Sequence, residues 1–377
     1  MHHKILFISS WYPNNLELSN GNFVQRHAEA VSMYHNVEVL HAIGDFKQNE
    51  NFLFDDKVIN GIRTLVVYYK NTKNPVINFY RRMNAYQKGY QKMQKPDLVH
   101  ANVLHNNMFF AVWLKKKYGI PFVLSEHWTA FLENADDAHN EIWRYFAKRI
   151  ANNASYIMPV SEKLLEGLKI LGVKTPMETV SNVVDLDLFD VKPIHHKNFT
   201  FIHISNLVER KNPYKIIDAF LRLRKENDNI NLKIGGTDNL EQVKAYLEGK
   251  EHSESVEVFG YLSHAELVEK INASDALVLF SDNETQGCVA LEAMACGVPT
   301  IASSVGGVPQ YVKDFGGILV EKGNIQQLYD EMKNMVEGVK TFDKQAMRQF
   351  AINTYGKEAV AKRISEIYNK VLNEKIS

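Results

Sequence analysis

The sequence predicts an α/β protein made of two successive doubly wound halves. Short apolar runs rich in β-branched residues alternate with amphipathic helical stretches along nearly the whole chain, a pattern typical of parallel sheets covered by helices. The chain has 377 residues, which is longer than a single hydrophobic core usually grows. Residues 191–197 are polar, contain a proline and show no periodicity, so we expect a linker there.

The first predicted domain covers residues 1–190 and contains six strands. Helical patterns separate most of these strands and lie at residues 22–34, 76–94, 106–117, 136–152 and 161–170. The predicted strands are residues 4–9, 36–40, 63–67, 98–100, 122–125 and 156–160.

The second predicted domain covers residues 198–357 and repeats the alternation. After its last strand, residues 358–374 read as a long amphipathic helix, and we expect residues 358–377 to pack back on the first domain. The six predicted strands are residues 199–205, 231–235, 256–259, 276–280, 300–302 and 318–320.

The overall composition excludes several classes of protein. Lys plus Arg and Asp plus Glu number 44 each, so no net field attracts nucleic acid, and we expect none as a partner. The only cysteines, Cys288 and Cys296, lie on or beside one short predicted helix, where a disulfide would be geometrically awkward. No signal peptide and no apolar run near the ~20 residues of a membrane span is visible. We therefore expect a cytoplasmic protein.

Two glutamates eight positions apart are the most informative feature of the chain. Glu284 precedes a predicted helix that Gly287 opens and Gly297 closes, and Glu292 lies inside that helix. A helix start offers unpaired N–H groups and a partial positive charge, which favour a phosphate. A carboxylate further along can accept hydrogen bonds from sugar hydroxyls. Acidic residues near helix starts are also common for structural reasons. The surrounding sequence therefore decides whether this pair is structural or functional.

That context is a strand–loop–helix–strand unit. Residues 278–280 form a buried-strand pattern before the glutamates, and residues 299–302 form another after them. Ligands of open parallel sheets bind at such loops. The glutamate pair therefore indicates a sugar-nucleotide site.

Further candidates follow other predicted strands. Gly21 lies in the first loop, where a glycine lets the backbone approach a ligand or serves as an ordinary turn. His127, with Glu126 beside it, comes just after the strand ending at Ser125, and is either a packing residue or a ligand contact. Lys211, with Arg210, is placed to neutralise a diphosphate unless the pair is simply solvated.

Two patterns have competing interpretations. Asp185 and Asp187 resemble an acidic metal-binding pair, but they follow a predicted strand exit at residues 181–184, where Asp suits a turn, and we expect no metal site. Residues 79–95 combine cations with tyrosines. This is typical of contact with an anionic membrane surface, and also of a solvated helix packed on its tyrosines.

Together these landmarks resemble the retaining glycosyltransferases of the GT-B fold, family 4 (glycosyltransferase group 1). The resemblance covers nearly the whole chain and is most specific in the E-x7-E stretch that starts at Glu284. It is carried by residues 21–24, 97–100, His127, residues 182–185 with Phe189, Lys211, residues 284–299 and residues 306–307.

The resemblance implies two Rossmann-like domains facing across a cleft and a role for each site residue. Glu292 would hold the donor ribose, and Glu284 would contact the transferred sugar. Lys211 and the loop Glu284, Thr285, Gln286, Gly287 and Cys288 would hold the diphosphate, with Gly21 approaching it from the first domain. His127 would lie near the reacting sugar. His127, Glu284 and Lys211 are thus the implied catalytic residues, with positive charge substituting for a metal.

Two departures from the family pattern bear on the donor. Family members commonly have Gly-Arg where this chain has Ser205-Asn206, so Arg210 would substitute on the diphosphate, or Lys211 would act with backbone amides. Thr285-Gln286 stands where Gly-Phe is frequent, which leaves the donor sugar open.

We therefore expect a metal-independent retaining transferase that uses a UDP- or GDP-sugar and needs no cofactor. The acceptor would be a glycan or a lipid-linked molecule of the bacterial cell surface, and the enzyme would be cytoplasmic or peripheral at the inner membrane face. The alternatives are a nucleotide-sugar epimerase of the same fold and a non-catalytic nucleotide-sugar-binding protein.

Overall fold

The computed structural model describes residues 2–18, 20–132, 141–192, 197–312 and 316–373. The chain folds into two compact units. The first comprises Met1–Val183 and Lys357–Ser377, and the second comprises Val184–Gly356. Each unit is an α/β sandwich around one sheet, which confirms the predicted fold class of two Rossmann-like domains.

The first unit is built on a seven-stranded sheet in the order β3-β4-β2-β1-β5-β6-β7. All neighbours are parallel except β3 and β4. Its elements are β1 (Lys4–Ser9), α1 (Asn22–Val31), β2 (Asn36–Asp45), β3 (Phe52–Ile59), β4 (Ile62–Lys70), α2 (Pro75–Tyr90), β5 (Leu98–Asn102), α3 (Phe109–Tyr118), β6 (Phe122–Glu126), α4 (Glu141–Ala151), β7 (Tyr156–Pro159) and α5 (Glu162–Ile170).

The second unit is built on a six-stranded sheet in the order β10-β9-β8-β11-β12-β13, and all its strand pairs are parallel. The chain then returns to the first unit as α13 (Lys357–Asn373), which packs on α1. The elements of the second unit are β8 (Phe199–Ser205), α6 (Pro213–Arg224), β9 (Ile230–Gly236), α7 (Leu240–Leu247), β10 (Val256–Phe259), α8 (His264–Asn272), β11 (Ala276–Leu279), α9 (Cys288–Ala295), β12 (Thr300–Ser303), α10 (Pro309–Tyr311), β13 (Gly317–Val320), α11 (Ile325–Val336) and α12 (Lys344–Tyr355).

Apolar side chains cover both faces of each sheet. Leu6 and Ile8 of β1 face one core of the first unit, whereas Ile5 and Phe7 face the other. In the second unit the same alternation separates Phe201 from Ile202 on β8. Strands buried on both sides explain why the sequence shows continuous apolar runs.

All twelve predicted strands are present, but one strand was missed. Strand β3 forms an antiparallel hairpin with β4 across Asn60 and Gly61, whose φ angles are 49° and 79°. Its residues are half-buried or exposed, none of them is buried, and they include Asp55, Asp56 and Lys57, so the apolar periodicity of a buried strand is absent. The Asn-Gly pair is a strong hairpin signal and was the available indication.

Two other predictions fall partly outside the described residues, and a third was wrong. Predicted residues 136–140 of the fourth helix lie outside the described residues, which show α4 from Glu141. Residues 193–196 of the predicted linker also lie outside them. Residues 181–184, interpreted as the exit of a strand outside those twelve, are irregular, so that interpretation was wrong. The turn after them is present, because Leu188 N and Phe189 N donate to Asp185 O.

Candidate active site

The second sheet has its topological switch between β8 and β11. The chain moves outward from β8 through β9 to β10 and then crosses back to β11, which pairs with the other side of β8. Ligands of open parallel sheets bind outside the carboxyl ends of the strands at this point. Residues 206–212 leave β8 there, and residues 280–287 leave β11.

A nearly buried ion pair joins these two loops. Lys211 Nζ donates to Glu284 Oε1, and Ser281 Oγ donates to the same oxygen at 2.9 Å. The Lys211 and Glu284 side chains are only 12% and 9% exposed. Such a pair in a dry environment requires both partners, because removing one leaves an uncompensated charge.

The loop after β8 is held in an unfavourable backbone conformation by hydrogen bonds. Leu207 has φ 52°, and its N–H donates to Ser205 Oγ at 2.9 Å. His203 connects this serine to the neighbouring strand, since its Nε2 lies 2.8 Å from Ser205 Oγ and its Nδ1 lies 2.8 Å from Val278 O. Because a carbonyl only accepts, Nδ1 carries the proton and Nε2 accepts from the serine. Burial lowers the pKa of His203 to about 4, so the ring is neutral.

The end of this loop is tied to the loop after β11. Asp282 N donates to Arg210 O at 2.8 Å, and Asn212 Nδ2 donates to Phe280 O at 3.0 Å. Asn212 itself has φ 51° and caps α6, which begins at Pro213. These bonds position Lys211 next to Glu284.

Helix α9 begins where the sequence indicated. Gly287 caps it with φ 75°, and the buried Tyr311 Oη lies 2.6 Å from Gln286 O and 3.1 Å from Gly287 O. Burial holds the pKa of Tyr311 well above its usual value, so the hydroxyl remains a donor. Glu292 is the fifth residue of the helix and is 7% exposed.

Gly306 allows a third loop, which follows β12, to lie directly on the backbone of Glu284. A Cβ atom at Gly306 would lie 1.5 Å from Glu284 O, and φ there is 53°. Gly307 N donates to Thr285 O at 3.1 Å. The glycine pair at 306 and 307 therefore lets one stretch of protein backbone lie directly against another.

The remaining donor candidates lie in the same two loops or at the start of α9. The side chains of Asn206, Arg210, Thr285 and Cys288 are half-buried, and Gln286 is 2% exposed. Both cysteines are free thiols.

Sequence reasoning missed four supporting residues. Ser281, His203, Ser205 and Tyr311 act on the predicted residues through the hydrogen bonds described above. Only Ser281 and Ser205 carried a signal, since both stand at a predicted strand exit.

In the first unit, His127 lies in an aromatic environment after β6. Its ring lies 4.4 Å from that of Phe23 and 5.4 Å from that of His27. Burial lowers the pKa of His127 well below its usual value, while Asn182 acts in the opposite sense. His127 is therefore a neutral group.

Gly21 caps α1 with φ 75°. A Cβ atom there would lie 2.3 Å from Trp11 O, so the glycine lets two segments of the same unit approach each other.

Glu126, beside His127, connects the exits of two strands. Its buried carboxylate accepts hydrogen bonds from the backbone N–H groups of Leu104, His127 and Trp128. Burial raises its pKa to about 7, and the three N–H groups act in the opposite sense.

The two patterns with competing interpretations can be located in the structure. Among the described residues, no three His, Cys, Asp or Glu side chains lie close enough to hold a metal ion, Asp185 and Asp187 included. In the predicted basic segment, Lys88 and Lys92 lie over the rings of Phe52 and Phe54. No helix within the described ranges is long and apolar enough to cross a membrane.

Known sequences and structures resemble this chain throughout. Residues 185–356 match the family described as glycosyl transferases group 1, and residues 22–188 match glycosyltransferase family 4. An uncharacterized glycosyltransferase of Methanocaldococcus jannaschii is 26% identical over 67% of this chain and 70% of its own length. The N-acetyl-alpha-D-glucosaminyl L-malate synthase of Bacillus anthracis is 24% identical over 74% of this chain and 76% of its own.

Solved structures share the fold at low sequence identity. Sucrose-phosphate synthase from Thermosynechococcus elongatus has a TM-score of 0.78 and 18% identity, covering 99% of this chain and 100% of that one. Anabaena HepE, solved in complex with UDP and glucose, has a TM-score of 0.75 and 18% identity, covering 98% and 100%.

The two Rossmann-like units and these neighbours define the GT-B class of glycosyltransferases. Within that class, the two sequence matches together span residues 22–356, and the chain belongs to the group 1 glycosyltransferases.

Proposed function

We propose that the protein transfers a sugar from a nucleotide diphosphate sugar to an acceptor hydroxyl, with retention of configuration and without a metal ion. The observation that carries this proposal is the junction of Lys211, Glu284 and the start of α9 at the topological switch of the second sheet. Cationic and N–H donors there suit a diphosphate, and adjacent carboxylates suit hydroxyls.

Each group has a role in this proposal. As the bond between the anomeric carbon and the diphosphate oxygen breaks, negative charge grows on the leaving group. Lys211 has three donors, of which Glu284 takes one, so capacity remains for phosphate oxygens. The N–H groups of α9 add preorganised positive charge, which needs no reorganisation during the reaction. The acceptor oxygen then bonds to the anomeric carbon, and its proton leaves with the diphosphate.

Glu292 binds the ribose hydroxyls and Glu284 binds hydroxyls of the transferred sugar. Arg210 assists Lys211 on the diphosphate, in place of the arginine that family members have at Asn206. No carboxylate within the described part of the chain pairs with Arg210. Backbone groups of Thr285, Gln286, Gly287 and Cys288 complete the donor site, and Gly21 and His127 contribute to the reaction from the first unit.

We assign the donor to residues 198–357 and the acceptor to residues 1–190, with the helix of residues 358–377 bracing the acceptor domain. Packing of α13 on α1 supports the last assignment. The UDP-glucose complex of Anabaena HepE and the GDP-mannose dependence of a 27% identical mannosyltransferase from Corynebacterium glutamicum make UDP- and GDP-sugars the first donors to test.

The product is a cell-surface polysaccharide or glycolipid, made in the cytoplasm at the inner face of the membrane. Relatives whose names include a glycolipid, such as the alpha-monoglucosyldiacylglycerol synthase of Streptococcus pneumoniae, support the glycolipid part. Membrane contact through residues 79–95 would use exposed groups such as Tyr80, which is 69% exposed. Cosedimentation with anionic vesicles, lost on Tyr80→Ser, is the expected result, and equal pelleting of both proteins would contradict it.

A donor screen tests the core of the proposal. Thermal unfolding with UDP-, GDP- and ADP-sugars should reveal one that raises the unfolding temperature, because a ligand of the native state stabilises it by mass action. Glu292→Ala and Lys211→Ala should each weaken its binding by at least tenfold in calorimetry. Unchanged affinity in both variants would refute these assignments.

A radiolabelled donor with a cell-envelope extract separates the proposal from its rivals. Label should enter a product whose anomeric configuration, determined by NMR, equals that of the donor. Conversion of the donor to its epimer without transfer would indicate an epimerase, and tight binding without turnover would indicate a sensor. Loss of turnover in EDTA that Mn²⁺ restores would contradict metal independence.

A further inference from the structure

We propose that the carboxyl edge of the first sheet binds an uncharged sugar residue as the acceptor, with its ring stacked on Trp11 and Trp128. This inference rests on the proposed function and narrows it. The acceptor hydroxyl belongs to a neutral saccharide and not to a carboxylic acid or a phosphorylated polyol.

The first sheet has its own topological switch between β1 and β5. The chain leaves β1 toward β2, β4 and β3 on one side and returns to β5 on the other. The segments that follow β1, β5 and β6 meet at this edge, which is where ligands of such sheets bind. They are residues 10–18, 103–108 and 127–132.

Hydrogen bonds tie these three segments together. Ser10 Oγ lies 2.8 Å from Val103 O and 2.7 Å from Asn107 Oδ1. Val103 takes φ 64°, an unfavourable angle for a β-branched residue. Glu126 joins the segment after β5 to that after β6 through the N–H groups of Leu104 and Trp128. An edge so cross-linked is preorganised, and backbone strain is characteristic of binding sites.

Aromatic rings form the surface of this edge. Trp11 and Trp128 lie 5.5 Å apart at 72°, and His105 lies 6.0 Å from Trp128. Trp128 also packs edge-to-face against Phe131 and Trp143. Both tryptophans are half-buried, so each residue keeps some solvent-accessible surface. The negative face of an indole attracts positively polarised hydrogens, and the C–H groups on one face of a sugar ring supply them.

A buried amide oxygen at the same edge needs a donor. Asn106 Oδ1 is buried, and no described residue donates to it. An unsatisfied buried acceptor costs roughly 1–3 kcal/mol. A sugar hydroxyl next to a stacked ring would satisfy it.

The charge of the edge argues against an anionic acceptor. Residues 10–18, 103–108 and 127–132 include neither Lys nor Arg, and His127 is neutral because burial lowers its pKa. Arg82, from α2, is engaged with Tyr69: its Nε donates to the phenol oxygen at 2.9 Å, and its guanidinium lies 5.8 Å from the ring centre. A carboxylate or phosphate held by these three segments would gain no cation from them, and its desolvation would be costly.

Acceptor preference and tryptophan variants test the inference on the full-length protein with its donor bound. The probes are malto-, cello- and chito-oligosaccharides on one side and L-malate and inositol 3-phosphate on the other. Neutral saccharides should quench tryptophan fluorescence and accept the sugar. Trp11→Ala and Trp128→Ala should each raise the saccharide KM at least tenfold while the calorimetric donor Kd stays unchanged.

Two control variants separate stacking from general damage. Trp11→Phe keeps an aromatic face and should restore most of the affinity, which a merely structural role would not require. Tyr261→Ala removes an aromatic residue that is 65% exposed in the second unit and should change neither constant.

Three results would overturn the inference. The first is preference for malate or inositol 3-phosphate, with loss of that activity in Arg82→Gln. The second is absence of quenching by every saccharide. The third is an unchanged saccharide KM in both alanine variants. A failed donor site has a different signature, because then no nucleotide sugar binds and Glu292→Ala has no effect.

Discussion

Replacing Gly306 by alanine should disable the donor site from a position that has no side chain of its own. The new Cβ atom would lie 1.5 Å from Glu284 O, whereas such contacts are essentially never shorter than 3.0 Å. The two segments must therefore separate by at least about 1.5 Å (3.0 minus 1.5). Glu284, which holds Lys211, lies on one of them.

The magnitude follows from that displacement. A misplacement of about 1 Å in a catalytic site can lower the rate by a factor of about 100, equivalent to about 2.7 kcal/mol of barrier. We expect kcat/KM to fall by about that factor or more. The left-handed backbone, with φ 53°, adds a stability cost of roughly 1–2 kcal/mol for a residue with a Cβ atom.

Gly323→Ala is the matched control. Gly323 has φ 75° in the same unit, but a Cβ atom there meets nothing within 4 Å. The Gly323→Ala variant should lose stability only through its left-handed backbone angle, and its activity should be unchanged. The assay combines thermal unfolding, donor calorimetry and transfer of labelled sugar for both variants. Equal kcat/KM for the two would refute the conclusion that contact with Glu284 requires the glycine at 306.

Three further predictions concern single side chains. Tyr311→Phe removes the hydroxyl that donates to two carbonyls at the start of α9. It should lower the free energy of unfolding, measured in urea, by about 1–3 kcal/mol. An unchanged midpoint of urea unfolding would contradict this prediction. Lys211→Met should weaken donor binding and leave the buried charge of Glu284 uncompensated. The double variant with Lys211→Met and Glu284→Gln should therefore be more stable than Lys211→Met alone. A double variant that is less stable would contradict the pairing of the two side chains. Glu126 has a folded pKa raised from 4.5 to about 7, so its contribution to stability is complete below pH 4.5 and is lost as the pH rises to 7. Relative to Glu126→Gln, the wild-type free energy of unfolding should therefore fall by up to about 3 kcal/mol across that interval, whereas parallel pH profiles would show that the carboxyl does not titrate there.

Sequence patterns located the fold and the site loops because both depend on local signals. Buried parallel strands are continuous apolar runs, and all twelve that were predicted are present. Strand β3 escaped because it is an exposed edge strand with three charged residues in succession. Gly287 and Gly297 marked the ends of α9 because positive φ angles, 75° and 69°, favour glycine.

What the sequence by itself determined is therefore the two α/β halves, the loops at their strand ends and the glutamate pair that starts in one of them. What only the tertiary structure decided is which groups those loops bring together. Lys211 is 73 positions from Glu284, and Gly306 touches the backbone of Glu284 from a third loop. Strand order sets these neighbours, since the crossover that returns the chain to β11 places it beside β8. Ser205 and Tyr311 support the site through hydrogen bonds between a side chain and backbone groups, and such bonds leave no periodic pattern in a sequence.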